Sequence, residues 1–171
     1  MLRLMEILKY LIKLMIYKKI WKYILTKDDS IGCNTLDYYR PKAIKDFSNV
    51  SKGDIGGFID GYHNLSHKGN CWIYNTASVY GEACISEDAK ILDKAKIYGD
   101  SVVYGDTVVG GNALIYGKSK INTGMIYNAE VFDSKIFGNS YVGDVKVKKS
   151  ILVTDNYIIN HDVINKQIIE K

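Results

Sequence analysis

The sequence predicts an all-β fold: a parallel β-solenoid of three-sided turns, with a small β cap module and an amphipathic helix ahead of it. Three observations predict this. Aliphatic residues stand at Ile73, Val79, Ile85, Ile91, Ile97, Val103, Val109, Ile115 and Ile121, every sixth position. A small residue stands two positions before each, from Cys71, Ala77, Ala83, Ala89 and Ala95 through Ser101, Thr107, Ala113 and Ser119. Fourteen tyrosines accompany only four phenylalanines, which suits rings placed where their hydroxyls stay wet. Six is neither the strand period of two nor the helix period of 3.6. It is a short strand plus a corner, repeated.

Residues 1–21, MLRLMEILKYLIKLMIYKKIW, carry a charge every few positions. No uncharged run approaches the roughly 20 apolar residues of a transmembrane helix. Lys9 and Lys13 interrupt the apolar stretch that a signal peptide would need. On a helical wheel Arg3, Glu6, Lys9 and Lys13 share one face, and this stripe breaks beyond Tyr17. Three readings stay open: a helix packed on its own fold or on sister subunits, a basic membrane-surface helix, and a poorly ordered extension or a start codon assigned too early, with Met15 as the real beginning. The net charge of +4 divides into +6 over residues 1–27 (seven Lys and Arg against Glu6) and −2 over the rest. Nucleic-acid or membrane contact is therefore expected only through residues 1–27.

Residues 22–70 form the expected cap module, with strands at Lys22–Thr26 and Leu36–Arg40 across a polar turn holding Gly32 and Asn34. Gly56-Gly57 lacks the surroundings of a phosphate loop and reads as a tight turn or bulge. Asn49-Val50-Ser51 and Asn64-Leu65-Ser66 match the glycosylation sequon by coincidence, and Asn64 is expected to make a turn. Cys33, Cys71 and Cys84 are odd in number and form no CxxC pair, so a reduced cytoplasmic setting in a bacterial host cell is expected. Peripheral membrane association belongs to the membrane-surface reading of the basic segment, one of the three left open.

Residues 71–152 form the expected coils. Three hexads make a triangular turn of eighteen residues, stacked at about 4.7–4.9 Å. Folded by eighteen, Tyr80, Tyr98 and Tyr116, followed by Phe132, align on one outer face, and Gly81, Gly99 and Gly117 align at the adjoining corner with positive φ. Tyr104 falls on a less regular face. After Ile121 the inward candidates are Ile126, Val131, Ile136, Val142 and Val147, mostly five apart, so the coil continues with tighter corners. Residues 153–171 are expected as a C-terminal cap or tail, because a solenoid's open end must be covered.

The run AIKDFSNVSKGDIGGFI…NLSHKGNCWIY, followed by these hexads, resembles a group of bacterial and phage proteins built on the hexapeptide-repeat, left-handed parallel β-helix. The resemblance spans about residues 22–148 and implies a left-handed, single-stranded coil, an exception to the right-handed crossover rule. It also implies frequent homotrimers and a phage or mobile-element origin. Some members carry an acyltransferase label drawn from the fold. Acyltransferases of this type use a histidine near a coil interface as general base, with acyl-CoA between coils.

The only histidines are His63, His67 and His161, none within the regular hexads. One of the first two, paired with Asp54 or Asp60, could form an acid–base couple, and a structural role for His67 at the first coil is the alternative. Glu82, Asp88, Asp100 and Asp106 recur at an acidic corner position and read as solvated turn residues rather than a cation site. Cys71 reads as core and Cys84 as outward. No cofactor or metal is expected. The expected function is that of a non-enzymatic binding or scaffold protein acting through protein–protein contacts, with itself or with a host protein such as a defence complex. Its surface is Tyr80, Tyr98, Tyr116, Phe132 and Tyr104. The alternative is a hexapeptide-repeat acyltransferase using acyl-CoA, with His63 or His67 as base.

Overall fold

The computed structural model describes residues 3, 5–12, 21–27, 38–154, 157–159 and 162–169. It is a parallel β-solenoid of about 7 turns with one short N-terminal helix. Three sheets run along it, one of nine strands and two of six. The inward residue of every short strand is an aliphatic one. Val79, Ile97, Ile115, Val131, Val147 and Val163 stack on the first face. Ile73, Ile91, Val109, Ile126, Val142 and Ile158 stack on the second. Ile85, Val103, Ile121, Ile136, Leu152 and Ile168 stack on the third. All but Ile168, which packs partly buried against the others, belong to one buried core. Each ring of the core rests on its twin one turn away, so burial of apolar surface is what holds the turns in register.

The small positions explain the corners. Cys71, Ala77, Ala83, Ala89, Ala95, Ser101, Thr107, Ala113 and Ser119 are all buried. Where the residue is polar, its hydroxyl donates to the carbonyl three residues back: Ser101 to Tyr98, Thr107 to Tyr104, Ser119 to Tyr116. A buried hydroxyl therefore costs little, because it closes its own corner.

Two residues after each inward one from Ile73 to Ile115, the chain turns through positive φ, at Asn75, Gly81, Glu87, Asp93, Gly99, Gly105, Gly111 and Gly117, whereas Thr123 after Ile121 does not. The same offset recurs at Asn128, Asp133, Gly138, Asp144, Lys149 and Asn165. This accounts for the change of period after Ile121. In Ile97-Tyr98-Gly99-Asp100-Ser101, Asp100 separates the turning residue from the small one. In Val131-Phe132-Asp133-Ser134 that spacer is gone. The partner of Ile97 is Ile115, eighteen on, whereas the partner of Ile115 is Val131, sixteen on. Residues 157–169, where described, add a further turn of parallel strands on the second, first and third faces.

At the other end, β1 (Tyr23–Lys27) and β2 (Tyr39–Ala43) pair antiparallel, and β2 meets β3 (Phe58–Ile59), which pairs parallel with Ser78–Val79. The second strand lies three residues beyond its expected place and contains Pro41, which pairs with Leu25. Pro41 gives no N–H, but its carbonyl accepts from Gly56 N at 2.8 Å. The expected polar turn with Gly32 and Asn34 falls among residues 28–37, which with Cys33 lie outside the described residues, as does His161. Gly56 and Gly57 are glycine for closeness. A Cβ on Gly57 would sit 2.6 Å from a methyl of Ile73 and still nearer the Ala77 carbonyl oxygen. Ile59 and Leu65 turn inward, so the coil begins inside the cap module.

The expected amphipathic helix is helical over residues 5–12, and every residue of that stretch is exposed. No described helix is long and apolar enough to cross a membrane.

Candidate functional site

The first face carries the aromatic ladder on its outer side. Tyr80 and Tyr98 stack with ring centroids 5.0 Å apart and planes 2° from parallel. Tyr98 and Tyr116 follow at 5.1 Å and 10°, and Tyr116 and Phe132 at 4.8 Å and 28°. The spacing is the stacking distance of the coil itself, so the backbone sets the ladder and the rings occupy it. Stacking hides the inner ring faces. What the ladder shows to solvent is a ridge of ring edges and hydroxyls.

The ridge ends in a charged cluster. The Tyr116 hydroxyl donates to Glu130 Oε1 at 2.7 Å, and Lys148 Nζ lies 2.9 Å from the same oxygen, with Lys146 Nζ 3.7 Å from Oε2. Hydrogen bonding to the Glu130 carboxylate, with some burial, pushes the Tyr116 phenol up to about 12. The same hydroxyl, and then Lys148, hold Glu130 below the usual carboxylate range. Burial and the neighbouring Tyr98 raise Tyr80. Tyr104 lies on the third face, after Val103, and stands apart from the ladder.

The ladder starts beside Asp60 and His63. Asp60 Oδ2 accepts from Gly81 N at 2.7 Å, and its Oδ1 lies 3.3 Å from His63 Nε2. His63 Nε2 is also 2.8 Å from the Gly81 carbonyl oxygen, which fixes its proton on that nitrogen. The remaining Nδ1 packs against Gly61, where a Cβ would come within 2.7 Å of it. Buried Asn64 locks this corner by accepting from Asp60 N and Gly61 N and donating to the carbonyls of Gly81 and Ala83. Asp54 is elsewhere, accepting from Ser51 N.

His67 is sandwiched between Trp21 and Tyr23, with centroids 4.8 and 4.2 Å away. Its Nδ1 accepts from Lys22 N at 3.4 Å, so the proton sits on Nε2, which is buried and without a partner among the described residues. Burial, and then the Lys22 and Lys45 charges, hold its pKa down to about 4. His67 is a ring in a stack, with both nitrogens committed or sealed.

Lys22 was not legible as a core residue, yet it is 1% exposed. Its Nζ donates to the Cys71 carbonyl at 2.7 Å and to the Gly69 carbonyl at 3.2 Å, contacts Cys71 Sγ at 3.2 Å, and lies over the Phe47 ring. The first full turn has no turn beneath it here, and Lys22 supplies the donors that a preceding strand would give. Burial lowers the Lys22 pKa and raises that of Cys71.

The acidic corner residues also divide. Asp88 accepts from Asn70 N. The stronger pattern belongs to Glu87 and Asp93 at the turning positions, which accept from Gly105 N and Gly111 N one turn on. An offset of eighteen to a glycine was the available signal. Among the described residues no group of three His, Cys, Asp or Glu side chains is placed to hold a metal ion.

No protein-family model matches the chain, and no curated protein matches it.

Proposed function

We propose that this is a non-catalytic binding or scaffold protein that acts through protein–protein contacts made by the Tyr80/Tyr98/Tyr116/Phe132 ridge. The observation that carries the reading is the parallel stacking of the four rings on rigid backbone. A preordered aromatic strip loses little side-chain entropy on docking, and tyrosine edges offer both apolar area and hydroxyls to a partner. The Glu130–Lys148 cluster at its end supplies polar rim contacts.

The histidine geometry supports the same reading. His67 has no free lone pair, and the Nε2 proton of His63 is held by a backbone carbonyl. The resemblance to phage-borne hexapeptide-repeat proteins directs the choice of partner toward a sister subunit in a homotrimer or a host protein such as a defence complex.

The test is affinity capture from host cells with the wild-type chain, a Tyr98→Ala/Tyr116→Ala chain and a Tyr127→Ala control on the second face. The reading expects the partner, or the sister subunits, to be lost only with the ladder variant. A rise in melting temperature with acetyl-CoA that disappears in His63→Ala would support acyl transfer instead.

A further inference from the structure

We infer that the N-terminal helix is a peripheral anchor for anionic membrane surfaces. Met5, Ile7, Leu8, Tyr10, Leu11 and Ile12 are 49–66% exposed, a contiguous apolar surface on one short helix. Patches of this kind mark protein or membrane contacts. Charge decides between the two. Arg3, Lys9, Lys13, Lys18, Lys19, Lys22 and Lys27 stand against Glu6 alone. Lys22 is buried in the cap, and Lys9 is paired with Glu6 at 3.2 Å on the surface.

Bundling sister helices would bring several segments of like charge together with Glu6, already paired with Lys9, as the one acidic residue in each. An anionic lipid surface answers the excess of basic residues left once Lys22 and the Lys9–Glu6 pair are set aside, and it accepts the apolar side chains as well. Attachment also fits the fold. Trp21 stacks on His67 and lies 5.1 Å from Tyr62, which ties the end of the segment to the first turn of the coil.

The experiment is co-sedimentation of the full chain with vesicles of phosphatidylcholine alone and of phosphatidylcholine with about one third phosphatidylglycerol. It is run at about 0.1 M and about 1 M salt. The expected result is at least about tenfold stronger partitioning onto the anionic vesicles, weakened at high salt. Arg3→Glu/Lys9→Glu and, separately, Leu8→Ser/Leu11→Ser should each reduce it severalfold. All four residues are exposed, so the melting temperature of the solenoid should not move in either variant.

Three results would overturn the inference. One is no preference for anionic vesicles. Another is light scattering that shows Leu8→Ser/Leu11→Ser splitting an oligomer in a chain that never binds vesicles. The third is capture by single-stranded RNA and by vesicles alike, both indifferent to Leu8→Ser/Leu11→Ser, which would make the helix a polyanion-binding arm.

Discussion

Tyr98 and Tyr116 stack at 5.1 Å although eighteen residues separate them, while Tyr104, six residues from Tyr98, lies on another face. Neighbourhood in this molecule is measured in turns of the coil. Tyr98 has a ring on each side, so Tyr98→Ala should remove two stacking contacts and destabilise the fold by about 1–3 kcal/mol. Tyr98→Phe keeps both stacks and should stay within about 0.5 kcal/mol of wild type. Urea unfolding of the two variants checks this. Equal losses would mean that the hydroxyl, and not the ring, holds the ladder.

Gly99 turns its corner at φ +73, and a Cβ there would come 2.9 Å from the Gly117 carbonyl oxygen. Gly99→Ala therefore combines a left-handed backbone with a backbone clash and should cost about 1–3 kcal/mol. Gly81 has the same φ sign, but its Cβ would meet nothing nearer than 3.4 Å. Asparagine already occupies such corners at Asn75 and Asn128, so Gly81→Asn should be tolerated. Thermal melts should separate these two glycines clearly.

His67 ties stability to pH. Its pKa falls from the ordinary 6.5 to about 4 on folding. Below 6.5 the unfolded chain takes up a proton that the folded chain refuses, so its contribution to stability shrinks as pH falls from 6.5 to 4 and levels off below that. His67→Phe keeps the ring between Trp21 and Tyr23 and should flatten this part of the pH profile. Melting temperatures of both chains across that window provide the check.

The two described cysteines should differ in reactivity. Cys71 is fully buried against Lys22, and burial raises its thiol pKa. Cys84 is half-buried on the outer side of the third face. A thiol reagent should label Cys84 in the native chain and reach Cys71 only after unfolding. Mass spectrometry of Cys33→Ser chains, labelled folded and unfolded, reads this directly. Native labelling of Cys71 would contradict the packing of Lys22 against it.

Much of the fold was legible because each hexad repeats one solution: an aliphatic residue inward, a turning residue two later, a small residue two before the next. Even the shortened turns were readable, since Ile126, Val131, Ile136, Val142 and Val147 all stack inward as their spacing suggested. The cap module was less legible because its contacts have no period. The second strand runs through Pro41, beyond the expected Leu36–Arg40, where a proline argues against a strand, and nothing in a basic run marked Lys22 as a buried donor. The ladder followed from an offset of eighteen. That its ring faces are mutually covered, leaving edges and hydroxyls outside, came from the structure.

The central claim is that the outer edge of the ladder is what a partner touches. Hydroxyl-radical footprinting of the chain, alone and in the complex recovered from host cells, tests it most directly. The account predicts that oxidation of Tyr80, Tyr98 and Tyr116 falls severalfold in the complex while Tyr127, exposed on the second face, is unchanged. Undiminished oxidation of the three ladder tyrosines in the complex would contradict it.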